Sequence, residues 1–205
     1  MNRCLKKQIA LLGALVALLN WPAQAEAQSS FNRMVTKLGE KLIENMTEDK
    51  KDNEFKVLIP KDEYAVYTFK DKEGMPAVAM VNIGLRGFDK KEVFGWYCSM
   101  IVDFEELAEN GMPTSAESAL VFDWMEEVHV GLMGDVDHPN ALFVGRMSHQ
   151  ATVHAVWQVN NPEQAHKYMQ GLVDEKKYPR RFEFLIESDE EWKNADFYLS
   201  LGLEE

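Results

Sequence analysis

Apolar positions recur at two different periods along this chain, and the switches between periods lay out its elements. Phe31, Met34, Val35, Leu38, Leu42 and Met46 return every three or four residues, with Arg33, Lys37, Glu40, Lys41 and Glu44 between them. That spacing predicts one amphipathic helix. Thr47 to Glu54 follows as a charged stretch without apolar residues and reads as a linker. The helix has three possible uses: docking on the rest of the chain, dimerising, or lying on a membrane surface. Its polar side mixes both signs of charge, which favours docking over a membrane surface.

Strand signals begin at Tyr64. Tyr64–Lys70 and Ala77–Leu85 carry β-branched and aromatic residues on either side of the turn Asp71-Lys72-Glu73-Gly74, so they read as a hairpin. A third strand, Phe94 to Asp103, follows the charged turn Asp89-Lys90-Lys91-Glu92.

Thr114 and Glu117 then stand at capping-box spacing after Gly111-Met112-Pro113. They open a helix whose apolar stripe is Leu120, Val121, Trp124, Met125, Val128 and Leu132, with Gly131 and Gly134 as its stop signals. Two strands near Ala141–Met147 and Thr152–Val159 are joined by a short polar turn. Asn161-Pro162-x-Gln164 starts a second helix that carries Ala165, Tyr168, Met169, Leu172 and Val173 on one face. Arg181 to Glu187 alternates as a last strand, and Glu190 to Leu199 reads as a short helical tail.

From Phe94 onward the order is β-α-β-β-α-β. This predicts an α+β fold of the ferredoxin-like, split βαβ type, with a hairpin and an amphipathic helix added in front. Both helices then lie on one face of the sheet. The other face is open or needs a separate cover.

The first 25 residues do not fit this scheme. Arg3, Lys6 and Lys7 precede an uncharged apolar run from Ile9 to Leu19, and Ala23-Gln24-Ala25 has the small-x-small spelling of a cleavage site. The run is shorter than the roughly 20 residues a membrane span requires. Residues 1–25 are therefore expected to be a cleaved secretory signal, leaving a periplasmic or secreted protein with no stable membrane anchor. Residues 26–54 form the helix and linker, and 55–205 a single domain.

Charge narrows the partners. Thirty-four acidic residues against 22 basic ones give a formal charge of −12. Loss of Arg3, Lys6 and Lys7 with the leader takes it to −15. With no basic stripe, nucleic acid is a disfavoured partner, and an unknown protein or small ligand is expected instead. Beyond Cys4 in the leader the chain has one cysteine, Cys98, so no disulfide forms within a mature chain. Cys98 shares strand parity with Phe94, Trp96, Met100 and Val102, which predicts a buried thiol acting as a small hydrophobe.

Several stretches carry a resemblance. Asn110-Gly111-Met112-Pro113-Thr114 followed by Glu117, Val144-Gly145-Arg146 on a strand, and Asp189-x-x-Trp192 with Phe197-Tyr198-Leu199 occur in an order and spacing that resembles the domain-of-unknown-function 695 family. The last part of that family is related to the ribonuclease E inhibitor B proteins. The resemblance spans roughly residues 60–200. It implies a compact ferredoxin-like α+β domain and supplies no catalytic residue. No Pro follows Tyr198-Leu199, where relatives often end Leu-Tyr-Pro. An exported protein also does not meet a cytoplasmic ribonuclease, so the inhibitor relation transfers poorly.

Chemistry-bearing motifs are sparse. His129, His138, His149, His154 and His166 lack His-Glu-x-x-His or zinc spacing. In Asp135-Val136-Asp137-His138-Pro139-Asn140, Pro139 falls where a calcium loop needs an oxygen ligand. There is no Gly-x-Ser-x-Gly, and Gly84, Gly87 and Gly95 do not make a phosphate cradle. Asn45-Met46-Thr47 spells a glycosylation sequon. No cofactor is implied.

One constellation follows from strand alternation. If Trp96, Cys98, Met100, Trp157, Phe182, Phe184 and Ile186 face the helices, then Tyr97, Arg146, His154, Glu183 and Glu187 share the opposite face. These side chains are a candidate ligand or partner surface, or they are solvated, or they lie beneath the Tyr64–Leu85 hairpin. The leading expectation is a non-enzymatic binding or interaction module. The alternative is a hydrolase or metal-dependent enzyme that uses His154 or acidic residues of that face.

Overall fold

The computed structural model describes residues 57–203. The leader, the Phe31–Met46 pattern, the Thr47–Glu54 stretch and the Asn45 sequon lie outside them. The described chain is a mixed α/β fold of six strands and three helices. Its strands are β1 (Tyr64–Lys70), β2 (Pro76–Asn82), β3 (Trp96–Asp103), β4 (Ala141–His149), β5 (Thr152–Val159) and β6 (Phe182–Ser188). The helices are α1 (Ser115–Met133), α2 (Pro162–Asp174) and α3 (Asp196–Ser200). One sheet runs in the order β1-β2-β4-β5-β3-β6, every neighbouring pair antiparallel.

The helix starts form as the capping residues dictate. The Thr114 hydroxyl accepts from the Glu117 backbone N–H, and the Asn161 side chain accepts from that of Gln164 with Pro162 opening α2. Glu117 does more than close a capping box: its buried carboxylate holds Arg180 through two 2.8 Å bonds and accepts the Glu105 backbone N–H at 2.9 Å. Those charge-assisted bonds hold its carboxyl below the usual range. They tie the start of α1 to the approach to β6.

Four boundaries depart from expectation. β2 stops at Asn82, not Leu85, because residues 83–87 turn into a 3-10 helix whose Ile83 N–H bonds back to Glu63. β3 starts at Trp96, since Phe94 ends a second 3-10 turn. Gly131 does not end α1; the helix passes through it, because Gly131 leaves the space that the Tyr168 ring fills. The helix stops at Gly134, which takes φ +69°. The expected helical tail shrinks to Asp196–Ser200, because the Asp189 carboxylate caps Lys193 and Asn194 and folds the preceding residues into a turn. Leu120 leaves the predicted stripe at 43% exposed, and Val173 is likewise exposed.

Two cores sandwich the sheet. Between the sheet and α1/α2 lie Cys98, Met100, Val102, Val153, Ala155, Trp157, Val121, Val128 and Met169. As predicted, Cys98 is buried, and desolvation pushes its thiol up to about 12. On the other face Val81, Leu142, Val144, Val156 and Tyr97 pack against Leu85, Phe88, Phe94, Trp192, Tyr198 and Leu199. That second face is thus covered by the β2–β3 connection and the C-terminal segment, not by the Tyr64–Leu85 hairpin. The hairpin instead lengthens the sheet, β2 pairing with β4 and β1 forming the edge.

Candidate functional site

The C-terminal segment is fastened to the second face by three polar anchors. Trp192, in the left-handed region at φ +61°, sends its indole N–H to the carbonyls of Lys91 and Phe94 at 3.1 and 2.9 Å. Asp189 accepts from Gln158 and from the Lys193 and Asn194 backbone. Arg86 donates to the carbonyls of Leu199 and Leu201 and to the Tyr67 hydroxyl. Buried polar groups are costly without partners, so this arrangement positions the segment as well as satisfying it.

The third residue of the terminal Phe197-Tyr198-Leu199 run packs inward, and Tyr198 reaches His154 in the middle of β5. The Tyr198 hydroxyl donates to the His154 backbone carbonyl at 3.1 Å, and its oxygen also lies 3.1 Å from Nδ1 of the ring. Nε2 is 3.5 Å from the Tyr97 hydroxyl. With the Tyr198 proton committed to the carbonyl, Nδ1 is the ring's donor and Nε2 its acceptor. Burial lowers the imidazole below its ordinary value and raises both phenols, so all three groups stay neutral near pH 7.

Tyr97 and His154 are therefore brought together on the second face, as strand parity predicts. Ile101 pairs with His154 on β5 and with Glu183 on β6, which puts Glu183 in the same cross-strand row. Glu187 sits opposite Tyr97. Both glutamates are exposed on the edge strand, Glu183 with Arg181 at 2.5 Å and Glu187 accepting the Asn194 amide at 2.9 Å.

Arg146 is a correction. It lies on the helix face, its guanidinium 3.7 Å from the centroid of the Phe122 ring of α1. The register between β4 and β5 shifts between Phe143 and Gly145, so two residues of β4 oppose one of β5 and alternation inverts beyond that point. Phe143 and Arg146 consequently share a face, whereas Val144 and Met147 share the other. Desolvation pushes Arg146 down to about 10 while Glu126 opposes the shift, so it remains a cation resting on an aromatic ring. Nearby, His129 accepts the Trp157 indole N–H at Nδ1, and burial pushes it down to about 4.

Beyond Tyr198 no described residue covers the second face. Ile101 is 45% exposed, Leu185 51% and Phe197 51%, with half-buried His154 and Thr152 between strands. Leu185 pairs with Ser99, which places it on the same face as Tyr97 and Ile101. Farther along, His149 contacts Asp71 at 2.9 Å and Gln150 donates to the same carboxylate, which closes the hairpin end. Those bonds hold Asp71 below the usual carboxylate range. Among the described residues, no three His, Cys, Asp or Glu side chains gather as a metal site, and no helix is long and apolar enough to cross a membrane.

Besides Ile101, sequence reasoning missed three contributors to this surface. Tyr198 and Phe197 were visible as a motif, but nothing local indicated which face they would cover. Leu185 carried a parity signal, opposite to its neighbours Phe184 and Ile186, that marks it as outward. Comparison of the chain with known protein families, with curated proteins and with solved structures yields no match, so the resemblance to the domain-of-unknown-function 695 family rests on its motifs alone.

Proposed function

We propose that the protein is an exported, non-enzymatic binding module whose ligand surface is the open half of the second sheet face. One observation carries this reading: Ile101 and Leu185 are exposed on neighbouring strands of the face that carries His154, a face whose other half the chain covers with its own C-terminal segment. Large apolar side chains that cluster at a polar rim are the usual mark of an interaction site. Glu183 and Glu187 border the patch, so the partner is a protein or small ligand that joins an apolar surface to basic groups. His154 and Tyr97 orient the site as a neutral hydrogen-bonded pair.

The finer fold reading is a ferredoxin-like split βαβ running from β3 to β6, with the β1–β2 hairpin added beside β4. The spatial order β4-β5-β3-β6, with α1 and α2 on one face, supports it. The export reading rests on the leader-like pattern of residues 1–25 and places this surface in the periplasm or outside the cell.

The test is site-specific photocrosslinking in the producing cell. A photoreactive residue at Leu185 is expected to give a discrete adduct heavier than one chain, and the same residue at Val130, exposed on α1, none. Equal adducts at the two positions, or none at Leu185, overturn the reading.

A further inference from the structure

We propose, on the footing of that binding reading, that the partner adds a strand to the sheet. An extended segment, with two basic residues four positions apart and apolar residues between them, pairs with the outer edge of β6. β6 is the last strand of the sheet, and no described residue pairs with its outer side. The Asp189 N–H donates to the Gly95 carbonyl at 2.7 Å and the Asp103 N–H to the Arg181 carbonyl at 3.0 Å, so the ladder with β3 uses the odd-numbered positions Glu183, Leu185 and Glu187. Phe182, Phe184, Ile186 and Ser188 therefore turn their backbone N–H and C=O groups outward, where no group of the described chain meets them.

Natural sheet edges are usually blunted by lysine, proline, a bulge or shortness. β6 has none of these, running seven residues in unbroken register with β3. Its guard is a pair of carboxylates, Glu183 and Glu187, on either side of the exposed Leu185. Glu183 is shared with Arg181, and Glu187 makes no ion pair among the described residues. Such an edge repels acidic strands and admits basic ones. A second copy aligned on Leu185, the register that pairs the whole strand, sets Glu183 against Glu187 twice, and the charge of −12 on each chain opposes it further. The opposite edge, β1, carries Lys70 and no acidic residue, so it lacks this signature.

In an antiparallel pairing, as everywhere else in this sheet, the incoming residues opposite Glu183, Leu185 and Glu187 take non-hydrogen-bonded positions, where facing side chains lie closest. Lysine or arginine meets the two glutamates, and an apolar residue meets Leu185 and widens the patch it forms with Ile101. Residues opposite Phe184 and Ile186 fall on the helix face, where the half-buried Phe184 ring lies 6.4 Å from Phe182 and 5.7 Å from His166. Apolar side chains fit there. The main-chain ladder supplies affinity, and the side chains of the two faces supply selectivity.

The experiment uses the full chain purified from the producing cell and the blocked peptide Val-Lys-Val-Leu-Val-Lys-Val, with amide hydrogen exchange read residue by residue by NMR. Saturating peptide is expected to slow exchange at Phe184 and Ile186 by at least about tenfold. Val66 and Thr68, whose N–H groups hold the same outward place on the β1 edge, should not change. The same peptide N-methylated at every valine, the residues whose N–H groups face β6, keeps its charge and should give no protection. A peptide with Glu in place of Lys should bind at least about tenfold more weakly. Glu183→Gln with Glu187→Gln should weaken the lysine peptide about three- to tenfold, in a variant shown to be folded by circular dichroism.

No protection at Phe184 and Ile186, equal protection by the N-methylated peptide, or indifference to Glu in place of Lys overturns the proposal. So does protection there that grows with protein concentration before any peptide is added, because a second copy is then the occupant. A photocrosslinked adduct at Leu185 with Phe184 and Ile186 unprotected would leave the binding reading standing and strand addition refuted.

Discussion

Trp192→Phe tests whether the second face is held by its polar anchors or by apolar contact alone. Trp192 is 1% exposed, lies tilted against Phe88 with ring centroids 5.5 Å apart, and shares one N–H between two carbonyls from the β2–β3 connection. Phenylalanine keeps an aromatic ring at the site but withdraws the donor. Leaving buried carbonyls without it costs about 1–3 kcal/mol, and the smaller ring adds about 1 kcal/mol through lost burial and incomplete collapse. A total near 3 kcal/mol corresponds to a fall in Tm of about 6–12 °C for a chain of this size.

Thermal unfolding followed by far-ultraviolet circular dichroism measures that fall. Brief trypsin digestion shows where it acts, because Lys193 follows the anchor directly. Trp124→Phe is the control: it loses a similar bond, to the Lys177 carbonyl at 3.0 Å, but on the helix side of the sheet. Both variants should melt early, and only Trp192→Phe should be cut at Lys193 before global unfolding. A Trp192→Phe protein whose Tm lies within about 2 °C of the parent, less than 1 kcal/mol in effect, would refute the reasoning.

Other consequences follow from the same packing. His129 is held near 4 when folded and returns to about 6.5 when unfolded, so the folded state binds fewer protons between these values. Stability is then complete above about pH 6.5 and falls by about 3 kcal/mol as the pH drops to 4; urea titrations across that window should show the slope, and His129→Phe should flatten it. Gly145→Ala would put a Cβ 2.7 Å from the Met80 carbonyl oxygen and 2.9 Å from the Tyr198 ring. It should cost about 1–3 kcal/mol by urea midpoint, whereas Gly171→Ala, with open space around it, should gain up to about 1 kcal/mol of helix propensity. Tyr198→Phe removes the hydroxyl from His154 and should cost about 1 kcal/mol, read as faster amide exchange over Asp196–Ser200 with α1 unchanged.

Where a signal is local, the sequence carries it well. Thr114 with Glu117 and Asn161 with Pro162 start helices where their side chains and ring geometry require, and β1 and β5 occupy their predicted residues. Such elements are decided within a few residues by capping, turn chemistry and the period of apolar positions, all of which can be seen in one dimension. Strand parity also reaches across space correctly for Tyr97, His154, Glu183 and Glu187, because period-two alternation survives as long as a strand is regular.

It fails at Arg146 because a single extra residue in β4 inverts every side chain beyond it, and nothing in Val144-Gly145-Arg146 distinguishes a bulge from a straight strand. Only the packing of β4 between β2 and β5, with Gly145 admitting the Met80 carbonyl and the Tyr198 ring, settles which way the cation turns. The cover of the second face was equally out of reach: Trp192 and Tyr198 meet carbonyls and a histidine about a hundred and about forty residues away in the chain. Periodicity says that an apolar residue must be buried but not against what. Chain order and element type are thus properties of the sequence itself, whereas the partner each face acquires is set by the three-dimensional competition for burial, which only the folded molecule resolves.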